Sequence, residues 1–173
     1  DMPLELKLKE VGNHFANVLR EATSGLGVGA ELGAALLGLA AVDYMAGFHQ
    51  GRESTGADFV AFLNEYFPKI YAEHGRWIYE NLRCGLMHNL TAITPWRGQA
   101  QRFLITADGD NHLRVVDDAL LFKVHVFLID VYRAWVMYAH YLVMRADRQG
   151  EAVRHFCRRF DRLGGVASVM AKQ

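Results

Sequence analysis

Residues 117–146, DDALLFKVHVFLIDVYRAWVMYAHYLVMRA, decide the fold class. Leu120, Leu121, Val124, Phe127, Leu128, Val131, Trp135, Tyr138 and Leu142 recur largely at three- and four-residue steps, the period of an α-helix with an apolar face. Asp117 or Asp118 stands where an N-cap would, so the pattern predicts one helix over about 117–146. At ~1.5 Å per residue that helix would run about 45 Å, more than a small domain needs. Its apolar positions also outnumber a single narrow stripe, and the excess is expected to face a partner chain.

Working outward, about 150–163 reads as a final helix with Val153, Phe156, Cys157 and Phe160 turned inward. On the other side, 101–116 alternates as strands do. Phe103 and Ile105 are separated by Leu104, and His112–Val116 answers across Asp108-Gly109-Asp110-Asn111, so a β-hairpin is expected there. Such a hairpin is marginal alone and must pack on the helices or another subunit. Further upstream, helices are expected over about 71–90, 58–67 (stopped by Pro68), 28–49 and 4–23. The 28–49 helix is rich in glycine and alanine, which costs helix propensity and lets another helix approach closely. The fold class read from this order is all-α. It is an antiparallel bundle of about five to six helices with one small inserted β-hairpin, in a single domain over 1–173.

The bulk properties agree with a folded, mostly buried-core chain: 51% of residues are apolar and 22% charged. Nineteen basic residues balance nineteen acidic ones, so the chain as a whole has no field to steer it toward nucleic acid or acidic lipid. Two cysteines, Cys84 and Cys157, exclude a disulfide-dense scaffold and point to a reducing compartment. No cationic segment followed by an apolar core opens the chain, so no export signal and a cytoplasmic location are expected. The apolar run Leu32–Val42 is far shorter than the ~20 residues of a spanning helix, so no membrane partner is expected. No His-x3-His or Cys-x2-Cys spacing occurs, so no metal ligands are assigned and no cofactor is expected.

The residues best suited to chemistry lie on the 71–90 helix, in Arg83-Cys84-Gly85-Leu86-Met87-His88. Five positions apart, Arg83 and His88 stand about 140° from each other around a helix. They either converge through long side chains at a helix edge or meet across a twofold axis. Histidine can move a proton near neutral pH, and arginine offers a planar fork of donors to phosphate. RNA carries its own nucleophile, the 2′-hydroxyl, so the pair could support phosphodiester cleavage without a metal. Spacing alone equally allows a structural role. Asp43, interrupting the apolar run, reads either as a boundary aspartate facing solvent or a tyrosine, or as a partner for Arg83. Six arginines against three carboxylates over 145–162 make a basic patch. Within it Arg154, Arg158 and Arg162 share one helical stripe that could track a phosphate backbone, or could simply be a solvated face. Tyr44, Trp77 and Tyr79 are candidate aromatic walls of a nucleotide pocket.

The stretch Ile78–Asn89 resembles the Arg-x4-6-His signature of the HEPN (higher eukaryotes and prokaryotes nucleotide-binding) superfamily, and the segments Asp43–Phe48 and Phe59–Phe67 are similar to bacterial members. The resemblance implies a dimerising helical bundle that acts on RNA, in many members as a metal-independent endoribonuclease of a toxin–antitoxin or defence system. It implies Arg83 as the phosphate ligand and His88 as the acid/base. Tyr79, Asn89, Asp43 and Arg154, Arg158 and Arg162 are then binding residues. Expected partners are RNA or a nucleotide, a second copy of the chain, and an antitoxin protein. Cys84 stands where the family often has a polar residue. Leu90 stands where the variant that pairs with nucleotidyltransferase antitoxins has tyrosine. The alternative is a non-catalytic helical interaction module or a nucleotide-binding regulatory module.

Overall fold

The computed structural model describes residues 2–89, 94–96, 99–106, 110–116, 119–145 and 150–165, with the side chains of 88, 89, 94–96 and 99–103 outside that description. It is a mostly helical bundle with a small β insertion. Helix α1 (Leu4–Gly27) buries Lys7, Val11, Phe15, Leu19 and Ala22 along one face. Lys7 is paired there, donating to Asp161 at 2.6 Å, with its Nζ 5.3 Å from the centre of the Phe160 ring.

Helix α2 (Glu31–Gln50) is the axis of the bundle and touches α1, α3, α6 and α7. By length and composition it could cross a membrane, but more than half of its apolar window is buried within the fold. Small residues let its neighbours close in. A Cβ on Gly38 would sit 2.8 Å from Phe127 and 2.9 Å from Leu128 of α6. Helix α3 (Gly56–Tyr66) opens with a capping box in which Thr55 and Asp58 satisfy each other's backbone N–H groups. Phe59, Phe62, Leu63 and Tyr66 form its buried face.

The single helix expected over 71–90 is instead segmented. Pro68 leads into a 3-10 turn, Lys69–Tyr71, because proline presets the backbone and offers no N–H to continue a helix. A short α4 (Gly75–Trp77) then passes through a π-helical turn, Ile78–Arg83, into α5 (Cys84–Asn89). Ile78, Leu82 and Leu86 stay buried through this change of pitch. Arg83 therefore sits at the junction of π and α geometry, a place where proteins often put functional groups.

The β segment also differs from the expected hairpin. Strands β1 (Thr94–Trp96), β2 (Gln99–Thr106), β3 (Val115–Val116) and β4 (Ala119–Lys123) form one sheet in the order β1-β2-β4-β3. Strand β2 does not pair with β3. It runs parallel to β4, with Phe103 opposite Leu120 and Ile105 opposite Phe122, while β3 is antiparallel to β4. The twelve residues between β2 and β4 are enough for a crossover, and a parallel pair requires one.

As a result the long helix begins later than its apolar pattern suggests. Leu120, Leu121 and Phe122 belong to β4, and α6 runs Val124–Arg145, about 33 Å at ~1.5 Å per residue. A short apolar run buried in a sheet is indistinguishable by periodicity from the start of a buried helix. Asp117 and Asp118 lie outside the described residues. Helix α7 (Glu151–Arg162) closes the bundle with Phe156 and Phe160 buried.

Candidate functional site

The π turn and α5 run beside the C-terminal half of α2, and the motif arginine spans the gap. Arg83 Nη2 donates to Asp43 Oδ2 at 2.6 Å. The other carboxylate oxygen of Asp43 accepts from the Ser54 hydroxyl, in the loop between α2 and α3. One turn before Arg83, the ring of Tyr79 lies 5.8 Å from the guanidinium carbon. Burial works against the charge on Arg83, but the hydrogen bond and charge of Asp43 more than offset it, so its pKa is raised. Burial, followed by the neighbouring Cys84 thiol, lifts the Tyr79 phenol above its ordinary value, although the Arg83 charge pulls it down. Of the two readings of Asp43, the structure gives the partner of Arg83.

Arg83, Asp43 and Ser54 line a cleft of about 300 Å³ between α2, α5 and α7, together with Glu53, Met87, Tyr44 and Arg159. Arg159 enters from α7, and among the described residues it has no carboxylate partner. Its Nε is buried without a hydrogen-bond partner, as is the Tyr44 hydroxyl. Desolvation pushes the Tyr44 phenol up to about 12, against the opposing influence of the Arg159 charge. The cleft thus contains one guanidinium already held by a carboxylate and a second that is not. Such a site can take an anion, and a phosphate ester suits it best because its oxygens match guanidinium forks.

The structure brings together Arg83, Asp43 and Tyr79 from the sequence-derived set. It does not bring Arg154, Arg158 and Arg162 to the cleft: all three are exposed along the outer side of α7. Trp77 is buried, whereas Tyr44 does form a wall. The side chains of His88 and Asn89 lie outside the described residues. On α5 the cleft-lining residue is Met87, and position 88 follows it about 100° further around the helix axis.

Arg159 and Ser54 were not singled out from sequence. For Arg159 a signal existed, since it lies three residues after the inward Phe156 and next to the inward Phe160, at the inner edge of an amphipathic helix. Ser54 sits in an irregular loop and gave none.

A scan against family models found no match, and comparisons with curated proteins and with solved structures found none either.

Proposed function

We propose that this chain is a HEPN-like domain that acts on RNA as a homodimer, with the Arg83 cleft as its phosphate site. The observation that carries this reading is the pairing of the motif arginine with a second guanidinium, Arg159, across one small cleft. The dimer is supported by the outward face of α6. Ile129, Tyr132, Val136 and Val143 are exposed at three-, four- and seven-residue steps, flanked by Met137 and Met144, which is 65% exposed. A seam of that spacing is self-complementary, so two copies of α6 can pack across a twofold axis.

As a metal-independent endoribonuclease the chain would let the 2′-hydroxyl attack the adjacent phosphorus. His88 would take the hydroxyl proton and return one to the departing 5′-oxygen, while Arg83 balances the charge that builds on the phosphate. A binding-only reading is favoured by the ion pair that already engages Arg83. Incubation with single-stranded and structured RNA in excess EDTA separates them. Cleavage by the wild type that leaves 2′,3′-cyclic phosphate ends and is abolished in His88→Ala and Arg83→Ala supports the nuclease. Binding without cleavage supports the binding module. Neither binding nor cleavage by a folded wild-type protein ends the RNA reading.

A further inference from the structure

Behind the cleft lies a second cavity, an apolar groove of about 210 Å³ between α1 and α2, lined by His14, Phe15, Val18, Leu37, Ala41 and their neighbours. The two cavities have Ala40 and Tyr44 in common, so the Tyr44 side chain is the partition between them. One side of this partition is polar, with the guanidiniums of Arg83 and Arg159 and the carboxylates of Asp43 and Glu53 in its lining, and the other is apolar with aromatic rims, His14 and Tyr44, whose ring centres are 5.7 Å apart. Taken together their volumes fall in the ~300–1,000 Å³ range of small-ligand sites, which are typically apolar with a few placed polar groups.

We propose that cleft and groove are one site for a single unpaired nucleotide, with its phosphate held at Arg159 and Arg83 and its base in the groove behind Tyr44. The proposal rests on the RNA reading above and deepens it. The charge distribution points to Arg159 as the principal phosphate contact. Arg83 is neutralised by Asp43 at 2.6 Å, whereas Arg159 has no carboxylate partner among the described residues. Its position is built in: a Cβ on Gly47 would come within 3.6 Å of the Arg159 Nε and 3.0 Å of the Arg52 carbonyl oxygen. Glycine at that place lets the loop after α2 close on α2 beside the cleft, with the Arg159 Nε at ordinary contact distance.

The groove carries the second half of the argument. Its walls offer dispersion contact and almost no hydrogen-bonding groups, which suits the flat face of a base and not its edge. Stacking and apolar contact of this kind are available only to a base that is not already paired and stacked in a helix. The site therefore discriminates single-stranded from duplex RNA and tolerates any base.

The test uses fluorescence polarisation of the full chain with a labelled single-stranded RNA pentamer, the same pentamer with abasic riboses, and its duplex. Arg159→Gln is expected to weaken both single strands about ten-fold, the size of a lost charge-assisted contact. Val18→Trp fills the groove from α1 and Leu37→Phe fills it from α2, so either variant keeps the test open if the other fails to fold. Each is expected to bring the affinity of the normal pentamer down to that of the abasic one, whose own binding is unchanged. Equal binding of duplex and single strand, or wild-type affinity for the normal pentamer in both folded groove variants, overturns the proposal while leaving RNA binding intact. If Arg158→Gln weakens binding and Arg159→Gln does not, the phosphate is on the outer stripe and the proposal is also wrong. No binding of any probe by the wild type instead removes the RNA reading on which it rests.

Discussion

Two polar clusters in this protein differ in one respect, and the difference separates architecture from function. At the base of the sheet, Tyr71, His112 and Asp130 are joined from three elements. The Lys123 backbone N–H donates to His112 Nδ1 at 2.9 Å, which leaves the other ring nitrogen to carry the proton. That nitrogen lies 2.9 Å from the Tyr71 hydroxyl, which in turn donates to Asp130 at 2.9 Å. Every link is made, and the cluster locks β4, α6 and the 3-10 turn together. In the Arg83 cleft the chain of contacts is incomplete: Asp43, Ser54 and Arg83 satisfy one another, while Tyr44 and Arg159 present buried polar atoms with no hydrogen-bond partner among the described residues. A satisfied cluster stabilises the fold and asks for nothing from solution. An unsatisfied one costs stability and has donors left for a ligand.

The comparison breaks most readily at Tyr71. Tyr71→Phe removes a hydroxyl from the middle of the satisfied cluster, leaving the His112 N–H without its acceptor and the Asp130 carboxylate without its hydroxyl donor, with Arg133 3.6 Å away. The expected loss is about 2–4 kcal/mol of unfolding free energy, because a buried charged acceptor left without its donor loses more than a neutral pair does. Urea denaturation measures it. A loss under about 1 kcal/mol would mean that the cluster is not the lock it looks like.

Acid should find the same cluster. Burial, then the neighbouring His74 and Lys123 charges, depress the His112 pKa to about 4 from an ordinary 6.5. Above pH 6.5 the ring is neutral in both folded and unfolded chains, and its contribution is fully present. As pH falls from 6.5 toward 4 the unfolded chain takes up a proton that the folded chain refuses. Stability then declines by up to ~1.4 kcal/mol per pH unit, or about 3 kcal/mol in all. Asp130 works in the opposite sense: its own burial raises its pKa, so its contribution is greatest below the ordinary 3.8 and fades as pH rises through the raised value. The net slope will therefore be shallower at the acidic end. Thermal melts from pH 7.5 to 4 should flatten in His112→Asn; an unchanged slope would place the acid sensitivity elsewhere.

How much of this could be read in advance follows from range in sequence. Helices α1, α2, α3 and α7 were legible because their apolar residues recur within each element. Arg83 with Asp43 was legible only as one of two options, since helical periodicity says nothing about which helix lies next to which. Leu120–Phe122 misled because three consecutive apolar residues fit a buried strand as well as a helix, and only the parallel partner β2 distinguishes them. Which arginine of α7 lines the cleft was hidden for a different reason. The evenly spaced Arg154, Arg158 and Arg162 are conspicuous because they face solvent, while Arg159 is half hidden against α2. His112 and Asp130 could not have been linked, because three elements far apart in sequence must meet before either has a partner.

Within the cleft, Asp43→Asn sharpens the comparison by moving stability and binding in opposite directions. It removes the anchor of Arg83, a pair still partly open to solvent, and should cost only about 1 kcal/mol. It also deletes a carboxylate beside the phosphate site and frees a second guanidinium, so RNA should bind several-fold more tightly and with a steeper salt dependence. Weaker binding instead would make Asp43 a positioning residue whose hold on Arg83 matters more than its charge.

The smallest expected effect is the most telling. Tyr44→Phe deletes a buried hydroxyl that has no hydrogen-bond partner among the described residues. Losing an unpartnered buried donor should change the unfolding free energy by no more than about 0.5 kcal/mol in either direction. The contrast with Tyr71→Phe is then between two identical chemical deletions, one inside a completed network and one in an open site. If the hydroxyl of Tyr44 is kept for a ligand, the near-neutral stability of Tyr44→Phe will be accompanied by weaker binding of the abasic and normal single strands alike, measured in the same polarisation assay. A loss of stability comparable to that of Tyr71→Phe would show that Tyr44 has an internal partner after all, and the distinction between the two clusters would collapse.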